Sequence, residues 1–100
     1  MTESVVLTIN WNGREFVEDM VESLLPQLRD TGSRLVFFDN ASEDGSDDLV
    51  EERFGESDLV KVVRWGENLG FAGAANLMMD RLSEDVVVLA NTDTVFLPGS

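Results

Sequence analysis

Cysteine and histidine are both absent from these 100 residues. Without thiols the chain forms no disulfide and no thiolate metal site. Without imidazole, any bound metal must be held by oxygen donors, which selects hard cations such as Mg²⁺ or Mn²⁺ over zinc. Basic residues are scarce as well: Lys61 stands alone beside six arginines, against 20 acids, for a formal net charge of -13. Nucleic acids and anionic membranes need a basic footprint, so nucleic acid is excluded as a partner class, whereas a nucleotide held together with a metal ion is not. Self-repulsion of this size is least costly near 1 M salt, where the Debye length is about 3 Å, so the surface suits a salt-rich, halophilic cytoplasm. No apolar run approaches the roughly 18 residues of a membrane span. The opening MTESVVLTIN lacks a basic segment followed by an apolar one. The expectation is one soluble, cytoplasmic domain without a transmembrane segment.

What is present is a strict alternation. Apolar, β-branched runs at residues 5–9, 35–38, 59–63 and 86–90 read as strands buried on both faces. Between them, Phe16, Val17, Met20, Val21, Leu24, Leu25 and Leu28 recur at offsets of three and four, which makes one helical stripe, and Pro26 is expected to bend or end that helix. A second helix opens at Ser46, Asp47 and Asp48, where acids meet the positive end of the macrodipole, and ends near Phe54 and Gly55. A third begins near Gly70 and runs through Phe71, Ala74, Ala75, Leu77, Met78 and Leu82. Alternation of this kind predicts an α/β fold: an open parallel sheet of about four strands, with three crossover helices covering both faces.

Each strand is followed at once by polar residues or glycine: NWNG at 10–13, DNASEDGS at 39–46, WGENLGFAG at 65–73 and NTDT at 91–94. In an open parallel sheet the carboxyl ends of all strands lie along one edge, where ligands bind, so the four clusters are expected to share one crevice. Singly, each has a plainer explanation as a turn, a helix cap or close packing. GFAGAA lacks the G-x-G-x-x-G spacing and follows the third strand, which disfavours a dinucleotide site. Trp11, between two asparagines at a strand end, is well placed to present an aromatic face to a base.

Taken together, VVLTINWNG, ESLLPQL, FFDNASEDGS, NLGFAGAAN and LANTDT resemble the inverting glycosyltransferases of family 2, in the nucleotide-binding, Rossmann-like half of a GT-A fold. The pairing of a D-N-x-S-x-D-G-S loop with an N-x-G-F segment is most similar to the rhamnosyltransferase-like branch. The resemblance implies a donor site for a nucleotide-diphosphate sugar, UDP- or dTDP-linked. Asp39 would accept a hydrogen bond from N3–H of uracil or thymine, with Ser42 and Asp44 fixing the nucleoside and Asn10 and Trp11 flanking base or ribose. Asn68, Gly70, Phe71 and Asn76 would line the wall between nucleoside and diphosphate. Asp93, the last position of a D-x-D motif, would bind the divalent cation, Mg²⁺ or Mn²⁺. Asn91 replaces the first acid of that motif, so metal affinity from this segment alone is expected to be weak.

In such enzymes the catalytic base and the acceptor site lie beyond the D-x-D strand, and no residue here is assignable as the base. The whole chain therefore reads as the donor half of a glycosyltransferase without the acceptor-binding half, acting toward a saccharide or lipid-linked acceptor. The alternative is a non-catalytic nucleotide-binding or partner-binding module. Surfaces left open would favour a homo-oligomer.

Overall fold

The computed structural model describes residues 3–92. The elements are β1 (Ser4–Asn10), α1 (Arg14–Thr31), β2 (Arg34–Asn40), α2 (Ser46–Phe54), β3 (Val60–Trp65), α3 (Gly70–Arg81) and β4 (Val86–Ala90). The four strands form one sheet in the order β3-β2-β1-β4, every pair parallel. The expected α/β architecture is therefore present.

Side-chain alternation divides the core between the two faces of the sheet. Leu35 and Phe37 pack with Val17, Met20, Val21, Leu24 and Leu28 of α1 and with Val50 and Phe54 of α2. Val36 and Phe38 point the other way and, with Val5 and Leu7, meet Ala74 and Met78 of α3. Burial of these side chains stabilises the fold by about 1.5–3 kcal/mol each relative to leaving them in water, before conformational entropy is charged against it.

Two local expectations are corrected. Pro26 does not end α1, which continues to Thr31. The ring lies on the exposed side of the helix, so the lost main-chain bond falls on the wet face, while Leu24 and Leu28 hold the buried stripe in place. Nor are all four strands buried on both faces. Only β1 and β2 are interior. Lys61 and Arg64 of β3 face solvent, and Val86, Val88 and Leu89 of β4 are 42–47% exposed, because these strands form the two edges among the described residues.

The strand order positions the site. From β1 the chain steps through β2 to β3, then returns past β1 to lay β4 on its other side. The helix after β1 and the helix after β3 lie on opposite faces, so the winding reverses between β1 and β4, and their carboxyl ends are where an open sheet of this kind binds its ligand.

Candidate functional site

Asn10 ends β1 at this point, directly opposite Asp39 in the β1–β2 register. Its side chain is fully buried, and its Nδ2 donates to Asp39 Oδ1 at 2.8 Å and to Ser46 Oγ at 2.8 Å, with Ser42 Oγ at 3.2 Å. The amide orientation is dictated by the carboxylate, since turning it over would set oxygen against oxygen. Asp39 Oδ2 accepts from the Ser42 amide at 2.9 Å. Asp39 is only 2% exposed, yet each of its oxygens keeps a second lone pair. The carboxylate is thus held in a fixed pose at the carboxyl end of β2 rather than on a swinging side chain.

A second tier ties the loops after β1 and β2 to each other. The Asn12 amide donates to Ser42 Oγ at 2.9 Å, and Asn12 Oδ1 accepts from the Glu43 amide at 2.8 Å. Arg14 donates its amide to Asp44 Oδ2 at 3.0 Å and its guanidinium to the carbonyls of Asp44 and Gly45. Asp44 Oδ1 accepts from the Ser46 amide at 2.9 Å, at the start of α2. Partial burial opposes ionisation of Asp44, but the hydrogen bonds from Ser46 and the Arg14 amide outweigh it and hold its carboxyl below the usual range. Gly45 has φ +80°, and a Cβ there would meet Arg14 Nη1 at 2.8 Å. Gly13 answers to space alone, because a Cβ on it would strike Asn10 Oδ1 and crowd Thr92.

Among the described residues, left-handed non-glycine backbone occurs at Asn12 (φ 53°) and Ala41 (φ 63°), one in each of these loops. Such conformations cost on the order of 1–2 kcal/mol and persist where the surroundings impose them. Thr8 Oγ1 and Asn10 Oδ1, on the same face of β1, are buried without a hydrogen-bond partner among the described residues.

The third cluster is joined through Asn40. Facing the α3 side, its Oδ1 accepts from the Leu69 amide at 2.8 Å and its Nδ2 donates to the Gly70 carbonyl at 3.2 Å. Asn68 Oδ1 accepts from the Gly70 amide at 2.7 Å, which closes the turn into α3.

The expected residues thus fall into groups. Asn10, Asp39, Ser42 and Asp44 form one bonded network, and Asn68 and Gly70 are tethered to it through Asn40. Trp11 and Phe71 stand exposed at 58% and 56%, free to offer ring faces. Asn76 is exposed on α3 and Asn91 is exposed just past β4, neither bonded to the network. Asp93, assigned to the cation, lies outside the described residues. Trp65 packs at 5.9 Å from the Phe38 ring, and the Arg81 guanidinium lies 5.2 Å from its centroid.

Asn12, Asn40 and Ser46 lie in the strand-end clusters read from the sequence but have no individual site role there, and Arg14 falls outside those clusters. Strand parity was the available signal for Asn40, since Asp39 and Asn40 must face opposite sides of the sheet.

Among the described residues, no three acids come together to hold a metal ion. The donors at the end of β4, Asn91 and Thr92, are neutral, so the described residues do not by themselves make a cation site.

The sequence matches the family model described as "Glycosyl transferase family 2" over residues 5–100. The chain belongs to glycosyl transferase family 2. A relative within the range of this domain is TuaG of Bacillus subtilis (strain 168), whose name assigns it provisionally as a teichuronic acid biosynthesis glycosyltransferase. It is 30% identical over 88 residues, which covers 88% of this chain and 34% of TuaG. Among solved structures, the mannosyltransferase PcManGT from Pyrobaculum calidifontis, in complex with GDP-Man and Mn²⁺, superimposes with a TM-score of 0.83 at 25% identity, covering 97% of this chain and 29% of that one. TarS 1-349 from S. aureus shares the fold, with a TM-score of 0.77 at 20% identity over 92% of this chain and 28% of that one. This family 2 chain spans about a third of the length of these relatives, 28–34%. Its parallel sheet and three helices match the Rossmann-like half of GT-A glycosyltransferases.

Proposed function

We propose that the chain binds the nucleotide-diphosphate sugar of an inverting glycosyltransferase, as its donor half. The observation that carries this reading is the Asn10–Asp39–Ser42–Ser46 network, which fixes a nearly buried carboxylate at the carboxyl end of β2, next to the end of β1, where exposed Trp11 follows Asn10 in the chain. Asp39 accepts the N3–H of uracil or thymine, and Trp11 and Asn10 flank the base or ribose. Asp44 and Ser42 hold the loop in which the nucleoside sits. Gly70, Asn68, Phe71 and Asn76 form the wall toward the diphosphate, and Gly70 lets main chain approach the ligand without a side chain between them. Asn91 contributes an amide to the sugar or to a metal-bound water.

A divalent cation supplies charge neutralisation to the departing diphosphate. Asp93 is the residue proposed to hold it. One carboxylate suffices when phosphate oxygens and water complete the shell, as is usual for Mg²⁺. PcManGT is in complex with Mn²⁺ and GDP-Man, which supports a divalent cation and says nothing of the residue that holds it. The base that activates the acceptor hydroxyl, and the acceptor site for a saccharide or lipid-linked sugar, are assigned to the part of the relatives' length that this chain does not span. The donor sugar in this reading is of the rhamnosyl type, the setting a salt-rich cytoplasm and the assembly a homo-oligomer.

The test is calorimetric titration with UDP, dTDP and GDP, with and without Mn²⁺, in high salt. UDP or dTDP binds in the millimolar range or better, at least about tenfold tighter than GDP. Asp93→Ala removes the effect of the metal, and Asp39→Asn erodes the preference between bases. PcManGT holds GDP-Man, so preference for GDP would overturn the pyrimidine assignment while leaving donor binding intact. No binding of any nucleotide would leave the partner-binding module as the surviving reading.

A further inference from the structure

The opposite rim of the sheet carries a second concavity. Arg34 and Val36 of β2, Lys61 and Val63 of β3, and Met78 and Arg81 of α3 surround a cavity of about 280 Å³. That is room for about nine waters at about 30 Å³ each. Arg34 and Asn40 are the two ends of β2, so this cavity lies about 20 Å from the strand-end crevice and is independent of it.

Its charge is the reverse of the chain's average. Acids outnumber bases 20 to 7 in the sequence, yet three of those seven bases line this one cavity and no acid does. Arg34 spends Nε and Nη2 on Glu84, at 3.0 and 2.9 Å, which fixes its guanidinium and leaves Nη1 without a bond among the described residues. Arg81 is held by the ring of Trp65 rather than by a carboxylate. Lys61 enters none of the ion pairs among the described residues. Of the three cations, Arg34 alone is paired with a carboxylate among the described residues, and all three border an apolar floor. Lysine on an edge strand also discourages pairing with other sheets. That accounts for Lys61 alone, and for neither the two arginines nor the concavity.

We propose that this cavity binds a small, freely diffusing anion carried on a short apolar body, such as a carboxylate or a phosphate monoester. The head lies among Arg34, Lys61 and Arg81, and the body rests on Val36, Val63 and Met78. An anion at this cavity would meet three cationic side chains, which together stabilise it more than any one of them does, and the apolar floor selects against fully hydrated ions.

Titration of backbone amide NMR signals with hexyl phosphate, inorganic phosphate and hexanol tests this directly. Hexyl phosphate shifts the amides of residues 34, 61, 63, 78 and 81 saturably below about 10 mM, leaves Asn10 and Asp39 unmoved, and binds at least about tenfold tighter than either fragment. Lys61→Glu weakens it at least about tenfold and Lys61→Arg retains it. Both changes fall on an exposed side chain, so an otherwise unchanged spectrum verifies the fold. Absence of saturable shifts, shifts mapping to the strand-end crevice, or equal affinity in Lys61→Glu overturns the site. Inorganic phosphate binding as tightly as hexyl phosphate overturns the apolar body. Sedimentation with phosphatidylglycerol vesicles, lost in Lys61→Glu, by a chain that ignores hexyl phosphate overturns the free ligand in favour of a lipid headgroup.

Discussion

Asn10 Nδ2 and Asp39 Oδ1 meet at 2.8 Å across 29 residues of sequence, at the carboxyl ends of the neighbouring strands β1 and β2. This bond joins the first two strand ends and sets the pose of the carboxylate on which the base-recognition reading depends. Asn10→Ala removes the donor from a buried carboxylate and from Ser46, and costs about 3 kcal/mol in chemical unfolding. Asn10→Asp is the sharper probe, because two buried carboxylates side by side force one of them to keep a proton. A folded-state value raised above the unfolded one gives stability that is full below the unfolded value and is lost as pH rises. Unfolding curves of Asn10→Asp between about pH 4 and pH 8 therefore fall with pH, and a flat profile contradicts the assigned contact.

Asn40 makes a complementary prediction about the third strand end. Its amide is the described side-chain link between β2 and residues 69 and 70, through one accepted and one donated bond. Asn40→Ala frees that turn and costs about 1–2 kcal/mol. Hydrogen exchange at Leu69 and Gly70 accelerates more than at Leu35 or Phe37 in the strand interior. Asn40→Asp keeps the acceptor for Leu69 but loses the donor to Gly70, so it restores protection at Leu69 alone. Uniform acceleration across the sheet would mean that Asn40 acts on global stability and not on the turn.

Much of this arrangement was legible because apolar patterning is a local signal that the sheet obeys. Val5, Leu7, Val36 and Phe38 take their faces from simple alternation, and Asp39 abutting four apolar residues had to lie at a strand end. Edge position was not legible, since Val86, Val88 and Leu89 are as apolar as an interior strand and only pairing reveals which strand lacks a neighbour. Pro26 does not end α1, because a proline's effect depends on which face of the helix it occupies. The particular roles of Asn40, Asn12 and Arg14 were not legible for a related reason: they are hydrogen bonds to main chain of other loops, which leave no pattern in the residue types themselves. Asp93 had its meaning from the motif and from Asn91 in the first acid's place, and it lies outside the described residues.

Arg34 and Glu84 give a prediction in acid. The Arg34 guanidinium donates two hydrogen bonds to Glu84 and, with its charge, holds that carboxyl below the usual 4.5. A depressed folded-state value gives stability that is present above the unfolded value and lost as pH falls through the folded one. Glu84 is 7% exposed but Arg34 is 39% exposed, so solvent screens the pair and Glu84→Gln costs only about 1–2 kcal/mol at neutral pH. Urea unfolding measured at about pH 7 and about pH 3 shows the gap between parent and Glu84→Gln closing in acid. A gap of the same size at both values would mean that charge plays no part in the contact.

Salt separates local ion pairs from global repulsion. Arg53 bridges α2 to Glu18 and Glu22 of α1, and Arg64 of β3 reaches Asp47 and Asp48 at the start of α2. These pairs are largely exposed and weaken as salt is added, each being worth at most about 1 kcal/mol. Against them stands a formal charge of -13 on 100 residues, whose mutual repulsion is relieved as the Debye length falls from about 10 Å at 0.1 M to about 3 Å at 1 M. The unscreened acids exceed what a handful of surface pairs can offset, so the repulsion term wins. Thermal unfolding midpoints rise by several degrees between those two salt concentrations, by about the same amount in NaCl and KCl. A midpoint that falls with added salt would show that the Arg53 and Arg64 bridges dominate, and would remove the electrostatic basis for a salt-rich habitat.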